Sequence, residues 1–230
     1  MTTAVVLAAG RGTRIGGDIP KQYLEYQGEP LIVRSLRTFS KSPHIDRIIL
    51  VTSKEHLDYG RELIARFEIG KADLVVPGGS ERYLSVWNAL LACGDSDYVM
   101  IHDGARPFVT EEIIARCAEA VKEFGTAVAG MPSRDTVKIA DEDGFVRETP
   151  LRKNVWTIQT PQAFSTGLLL QANRILMERG DMEGVTDDAM IVERSGLARV
   201  KLVEGSYGNI KITTPEDLRY LSPSFAVSQP

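Results

Sequence analysis

Five short apolar runs limit what this chain can fold into. They are "AVVLA" (4–8), "RIILVTS" (47–53), "DLVVP" (73–77), "YVMIH" (98–102) and "TAVAGMP" (126–132). Each is nearly continuously apolar, the pattern of a strand buried on both faces of a parallel sheet. Between them lie the amphipathic stretches "PLIVRSLRTFS", "EHLDYGRELIARF", "SERYLSVWNALLAC" and "TEEIIARCAEAVKEF". In the last of these, Ile113, Ile114, Cys117, Val121 and Phe124 share one helical face behind a Thr110 cap. Strand–helix alternation of this kind predicts an α/β fold, a doubly wound and mostly parallel sheet covered by helices on both sides. Ligands of such sheets gather at the carboxyl ends of the strands, so residues just after each run carry the most functional weight.

The rhythm changes at Asp135. "DTVKIADEDGFVRETPLRKNVW" has short β-prone pieces around "DEDG" and reads as a protruding hairpin, too polar for the core. Its exposed edges make it a candidate dimerisation arm, spanning about 134–157. Further on come a helix near 167–179, a capped helix start at "VTDDAM" and a strand at "ARVKLVEG". In "NIKITTPEDL", Thr214 caps a helix and Pro215 takes its first position. The whole of 1–230 reads as one domain, with a disordered tail at 222–230.

The net charge of −4 opposes a general nucleic-acid binder, so an anionic ligand must meet a local cluster of Lys and Arg. Cys93 and Cys117 lack metal or redox spacing and read as buried thiols of a reducing compartment. Neither a membrane-spanning run nor a signal-peptide pattern is present, and the expected location is cytoplasmic.

The first strand runs into "LAAGRGTRIGGDIPKQYL". A dinucleotide fingerprint needs G-x-G-x-x-G, but after Gly10 and Gly12 the third glycine comes one place late. The second strand ends in Thr52-Ser53, without the acidic residue that would hold a ribose, so a nicotinamide-dependent oxidoreductase is disfavoured. Gly12 and Gly17 have P-loop spacing, yet Asp18-Ile19 follow where Lys-Ser/Thr is required. What remains is a glycine loop whose amides can approach a triphosphate closely, backed by the fork donor Arg14 and the point charge Lys21. That suits phosphoryl or nucleotidyl transfer, where the enzyme mainly positions groups and neutralises charge. Two ordinary surface cations in a glycine-rich turn would look the same.

Asp103, in "MIHDGARPFV", follows the fourth strand directly and is placed to ligate Mg²⁺ on a triphosphate. His102 points to the opposite side of the strand and reads as a packed, hydrogen-bonded residue. After the third strand, "PGGSERYLSV" puts Gly79, Ser80 and Ser85 where a base or ribose can reach them; Ser80 also suits a plain helix N-cap. Trp87 and Trp156 read as packing residues.

Together, "LAAGRGTRIGGDIPKQYL", "GGSERYLSV", "IHDGARPF", "RDTVKIA", "QTPQAF", "TDDAMIVE" and "VEGSYGNIKITTPEDL" resemble the 2-C-methyl-D-erythritol 4-phosphate cytidylyltransferase family, in order from Val5 to about Leu221. Ribitol-5-phosphate cytidylyltransferases look similar in the glycine loop, "QTPQ" and "NIKITT", and remain the alternative. "SRDTVK" and "HDGARP" look closer to the methylerythritol branch. The resemblance implies a Rossmann-like sheet of the nucleotidyltransferase type and a place in the non-mevalonate isoprenoid pathway. It implies in-line attack by a polyol phosphate on the α-phosphorus of CTP, with Mg²⁺, without a covalent intermediate. Carried onto this chain, it gives Arg14 and Lys21 the stabilisation of the transition state and departing pyrophosphate. Asp103 would hold the metal. Ala8, Ala9, Gly10, Gly12, Gly79, Ser80 and Ser85 would surround the nucleotide. Arg152 and Lys211 would position the acceptor in a pocket lined by Arg106, Thr136 and Thr186. The hairpin would cross a two-fold axis of a homodimer, so that Arg152 and Thr136 serve the neighbouring subunit.

Overall fold

The computed structural model describes residues 1–10 and 20–221. In chain order the strands are β1 (Thr2–Ala8), the two-residue pair β2 (Glu25–Tyr26) and β3 (Glu29–Pro30), β4 (Arg47–Thr52), β5 (Ala72–Pro77), β6 (Tyr98–Asp103), β7 (Thr126–Pro132), β8 (Ile139–Ala140), β9 (Val146–Glu148), β10 (Trp156–Ser165) and β11 (Leu202–Glu204). The α-helices are α1 (Leu31–Lys41), α2 (Leu57–Arg66), α3 (Arg82–Ala92), α4 (Glu111–Phe124), α5 (Thr166–Arg179) and α6 (Asp188–Ser195). Among the described residues one sheet has seven strands in the order β11-β7-β10-β6-β1-β4-β5. Its pairings are parallel except at β10, which runs against both β6 and β7.

The five apolar runs form the strands expected of them, because each has a layer of helices to meet on either side. Ala4, Val6, Ile48, Leu50 and Met100 pack under Leu36, Phe39, Leu63, Ile113, Cys117 and Val121 of α1, α2 and α4. Val5, Ile49, Val51, Val99 and Ile101 face the other way, onto Val86, Leu90, Leu169, Leu176 and Ile191 of α3, α5 and α6. Each large aliphatic side chain fully buried in these layers contributes about 1.5–3 kcal/mol. Cys93 and Cys117 fall in different layers and are free, buried thiols.

Three local expectations change. First, β10 is a ten-residue strand inside the sheet, between β7 and β6, where "WTIQTPQAFS" had shown neither an apolar run nor clean alternation. It survives burial of Gln159, Thr160 and Gln162 because each finds partners, and its register shifts between Ile158 and Gln162, around Pro161. Second, α3 is capped at Glu81, not Ser80. The Gly79 amide is taken instead by the Ser85 hydroxyl at 3.0 Å from inside the helix, which leaves Ser80 exposed in the turn. Third, the segment after Thr214 is a 3-10 helix, Pro215–Leu221, whose start is satisfied by Asp217 accepting from the Thr213 and Thr214 amides.

The start of α6 is capped as expected, Asp187 accepting from the Met190 amide at 2.9 Å. Thr110 sits at the cap position of α4, although its side chain makes no capping bond. The hairpin is present as β8 and β9, turned at Gly144 with φ +85° and held by Asp141, which accepts from the Phe145 amide. Residues 222–230 lie outside the described residues.

Candidate active site

The carboxyl ends of β1, β4, β5 and β6 open into a cleft of about 970 Å³. Ala8, Ala9 and Gly10 form one rim as β1 ends, with Lys21 beside them on a 3-10 turn (Lys21–Tyr23). Gly78, Gly79, Ser80, Arg82 and Ser85 form the opposite rim at the start of α3, and Asp103 and Lys211 close one end. Two glycines are needed where the rims approach. A Cβ on Gly78 would collide with the Ala9 methyl, and one on Gly79 with Leu84. Ser85 is buried, and its hydroxyl donates to the Glu81 carbonyl while accepting from Gly79, so it shapes this rim from below.

The electrostatics concentrate on Asp103. Burial opposes its charge, but Arg82, Lys211 and Arg106 outweigh burial and hold the carboxyl well below the usual carboxylate range. Lys211 Nζ lies 2.7 Å from one oxygen and Arg82 Nε 3.4 Å from the other. Arg82 in turn donates to Asp188 at 2.7 Å. Asp188 is fully buried; burial, with Asp103 and Asp187 nearby, raises its affinity for a proton, and only Arg82 lowers it. Its second oxygen, Oδ1, has no hydrogen-bond partner among the described residues. The guanidinium thus spans α3, β6 and α6, with a strong bond on the inner side and a weaker one on the cleft side.

Behind Asp103, His102 is fully buried, as read from the alternation of the strand. Its Nε2 donates to the Arg106 carbonyl at 3.1 Å, while Nδ1 accepts from the Thr160 hydroxyl, which itself accepts from the Asp103 amide. Burial pushes the imidazole down to about 4, so it is neutral at pH 7 and out of reach of the cleft.

Of the residues expected at the site, Ala8, Ala9, Gly10, Gly79, Ser80 and Ser85 for the nucleotide, Lys21 for catalysis, Asp103 for the metal and Lys211 for the acceptor all line this one cleft. Gly12 and Arg14 lie outside the described residues. Arg106 does not line it: its guanidinium donates to the Asn209 carbonyl at 2.8 Å and braces the segment that carries Lys211. Thr186 is exposed just ahead of the α6 cap. Thr136 and Arg152 are exposed on the arm, away from this cleft's lining.

Reading the sequence passed over Arg82 and Asp188, although "SERY" follows a strand and "TDDAM" opens a helix. It also passed over Gln22, whose Nε2 donates to the carbonyls of Ala8 at 2.6 Å and Gly10 at 3.0 Å. Only the three-dimensional pairing marks these residues.

The family model described as IspD, 2-C-methyl-D-erythritol 4-phosphate cytidylyltransferase, matches residues 2–223. A curated relative bearing that enzyme name, from Lachnospira eligens, is 48% identical over 218 residues, covering 95% of this chain and 96% of its own. Another, from Caldanaerobacter subterraneus, is 45% identical over 218 residues, covering 94% and 95%. The crystal structure of 4-diphosphocytidyl-2C-methyl-D-erythritol synthase from Anaerococcus prevotii matches with a TM-score of 0.86 at 35% identity, over 100% of this chain and 96% of that one. These names favour the methylerythritol branch over the ribitol phosphate alternative. The chain belongs to the 2-C-methyl-D-erythritol 4-phosphate cytidylyltransferase family.

Proposed function

We propose that this chain transfers the cytidylyl group of CTP to 2-C-methyl-D-erythritol 4-phosphate, releasing pyrophosphate and forming 4-diphosphocytidyl-2-C-methyl-D-erythritol in the non-mevalonate route to isoprenoid precursors. The observation that carries it is the convergence of the β1 rim, Lys21, the Gly78–Gly79 turn and the Asp103–Lys211 pair on one cleft. Cytosine and ribose fit the Gly79, Ser80 and Ser85 rim. The triphosphate then runs along Ala8, Ala9 and Gly10 toward Lys21, and the resemblance in "LAAGRGTRIGGDIPKQYL" adds Gly12 and Arg14 to the groups expected on the phosphates.

The nucleophile is an oxygen of the acceptor's phosphate. With a second pKa near 6, such a monoester is mainly dianionic at pH 7 and attacks the α-phosphorus without first losing a proton. No general base is required, in keeping with a His102 sealed behind the strand. One P–O bond forms as the bond to the β-phosphate bridging oxygen breaks, and the electron pair leaves with pyrophosphate. Lys21 and Arg14 offset the charge that builds there. Lys211, held by Asp103, fixes the acceptor at the other end of the line of attack.

Asp103 fits Mg²⁺ as a single, firmly ionised carboxylate, since this ion takes one or two carboxylates and completes its shell with water and phosphate oxygens. Among the described residues no group of three or more His, Cys, Asp and Glu gathers, so an all-protein metal cage does not fit. Bound there with the nucleotide, Mg²⁺ supplies charge neutralisation on the phosphates.

The arm fits a homodimer contact. Phe145, Val146 and Leu151 are large, apolar and exposed on it, beside Arg152 and Thr136. A second copy covering this face would receive Arg152 and Thr136 at its own acceptor site, with Arg106 and Thr186 nearer the home cleft. A cytoplasmic location accompanies this reading, because both substrates are charged metabolites. Among the described residues no helix is long and apolar enough to cross a membrane.

Turnover measured for four NTPs crossed with methylerythritol 4-phosphate, ribitol 5-phosphate and a sugar 1-phosphate tests the reading. The expected result is the highest kcat/KM for CTP with methylerythritol 4-phosphate, dependent on divalent cation. A higher value for ribitol 5-phosphate would overturn the acceptor assignment.

A further inference from the structure

Lys21 carries its charge on a flexible four-carbon stem, so the position of its ammonium depends on the backbone beneath it. That backbone is a three-residue 3-10 turn, too short to hold its own position. Two neighbours fix it. Tyr23 is buried against His56 and Tyr59, with ring centroids 5.1 and 5.0 Å away. Gln22 points the other way, is 3% exposed, and places Nε2 between the carbonyls of Ala8 (2.6 Å) and Gly10 (3.0 Å). Two carbonyls demand two donors, and one primary amide nitrogen supplies both. The same atom therefore ties the cation-bearing turn to the rim along which the triphosphate is placed.

We propose that Gln22 is a positioning residue for cytidylyl transfer: its two amide hydrogens set Lys21 at a fixed distance from the Ala8–Gly10 rim. The proposal rests on the role given to Lys21 above. Glutamate is the informative replacement, because it keeps the shape of glutamine and changes only the hydrogens. Ionised, it offers no donor and sets a negative charge against two carbonyls; protonated, it restores one donor. Methionine offers none at any pH. Among the described residues, the titratable and charged groups around this turn are Lys21 and Tyr23 on the turn itself, Lys54, Glu55 and His56, which line the same cleft, and Tyr59, which packs on Tyr23. All are common to every variant that retains Lys21, so the ratio of variant to wild type isolates the introduced carboxyl.

The test is a double-mutant cycle of wild type, Lys21→Ala, Gln22→Glu and the double variant, with Gln22→Met alongside. It records kcat and both KM values from pH 6 to 8.5, together with melting temperature. A misplacement of this kind is expected to lower kcat of Gln22→Glu at pH 8 by about 30-fold or more. The acceptor KM should stay within about twofold, and the ratio to wild type should recover about fivefold by pH 6 as the carboxyl protonates. Gln22→Met should show a loss that is flat with pH. With Lys21 already replaced, Gln22→Glu should cost less than about threefold, since it acts through that residue. A merely structural staple would lower the melting temperature and slow both backgrounds equally; that additive result overturns the proposal. Wild-type turnover in Lys21→Ala is a different failure, removing the role of Lys21 and this inference with it. Should Gln22→Glu fail to fold, Gln22→Met completes the same cycle.

Discussion

In the cleft, Arg82 is clamped between Asp188 at 2.7 Å and Asp103 at 3.4 Å, whereas on the arm Arg152 rests against the Arg134 carbonyl at 3.4 Å. Asp188 is fully buried; Arg152 and its neighbours from Leu151 to Asn154 are exposed. The arm is anchored at its root, where Arg134 stacks on Tyr207 and the Tyr207 hydroxyl donates to the Pro132 carbonyl, and among the described residues it has no core of its own beyond that. Both regions carry cations, yet only one holds them in place without help. A charge positioned by burial is ready before substrate arrives. A charge on an exposed ribbon needs another surface to order it, which is the physical case for a second copy of this chain.

The sharpest way to break that contrast is to remove one guanidinium from each region. Arg82→Met leaves Asp188 buried without a counter-charge and is expected to cost about 3–5 kcal/mol of stability in urea unfolding. Arg152→Met should stay within about 0.5 kcal/mol, as for surface substitutions generally. Equal costs would erase the distinction. In catalysis, Lys21→Ala should lose about 3–4 kcal/mol of transition-state stabilisation, seen as a fall in kcat with the unfolding midpoint unchanged.

Acid should act on the buried side as well. Unfolded, His102 takes a proton below its ordinary value of 6.5; folded, only below about 4. Between those values the unfolded chain binds the extra proton, so this contribution is intact above 6.5 and is lost as pH falls toward 4. The full loss is about 3 kcal/mol, and His102→Gln should flatten that slope in denaturation of the metal-free protein.

The arm tip should be as insensitive in stability as Arg152. Phe145→Ser should change monomer stability by no more than about 0.5 kcal/mol, while sedimentation velocity shows weaker association. Mixing the Lys21→Ala and Arg152→Ala variants then asks where Arg152 works. If it serves the neighbouring subunit, randomly mixed dimers regain about a quarter of wild-type sites. No recovery would place Arg152 in its own subunit's site.

Much of this division was legible in the chain. The runs at 4–8, 47–53, 73–77, 98–102 and 126–132 announce doubly buried strands because apolar continuity is what burial on two faces requires. Asp103 and Gly79 could be placed at the cleft because parallel strands deliver their carboxyl ends to one edge. β10 was hidden because its burial is polar. Gln162 donates to Asp187 and accepts from the Asp188 and Ala189 amides, Thr160 joins His102 to the Asp103 amide, and Gln159 ties down Ser206 and Asn209. No hydrophobic period reports such a strand, since its side chains are chosen for the loops they hold. Arg82, Asp188 and Gln22 were missed for a related reason: each is an ordinary polar residue until its distant partner is known.

The most direct measurement is the structure of the protein with CTP and Mg²⁺. The phosphates should lie between the Ala8–Gly10 rim and Lys21, with the metal on Asp103 and cytosine against Gly79 and Ser80. Phosphates bound on the far side of Arg82, or outside this cleft altogether, would contradict the assignment of every group described around it.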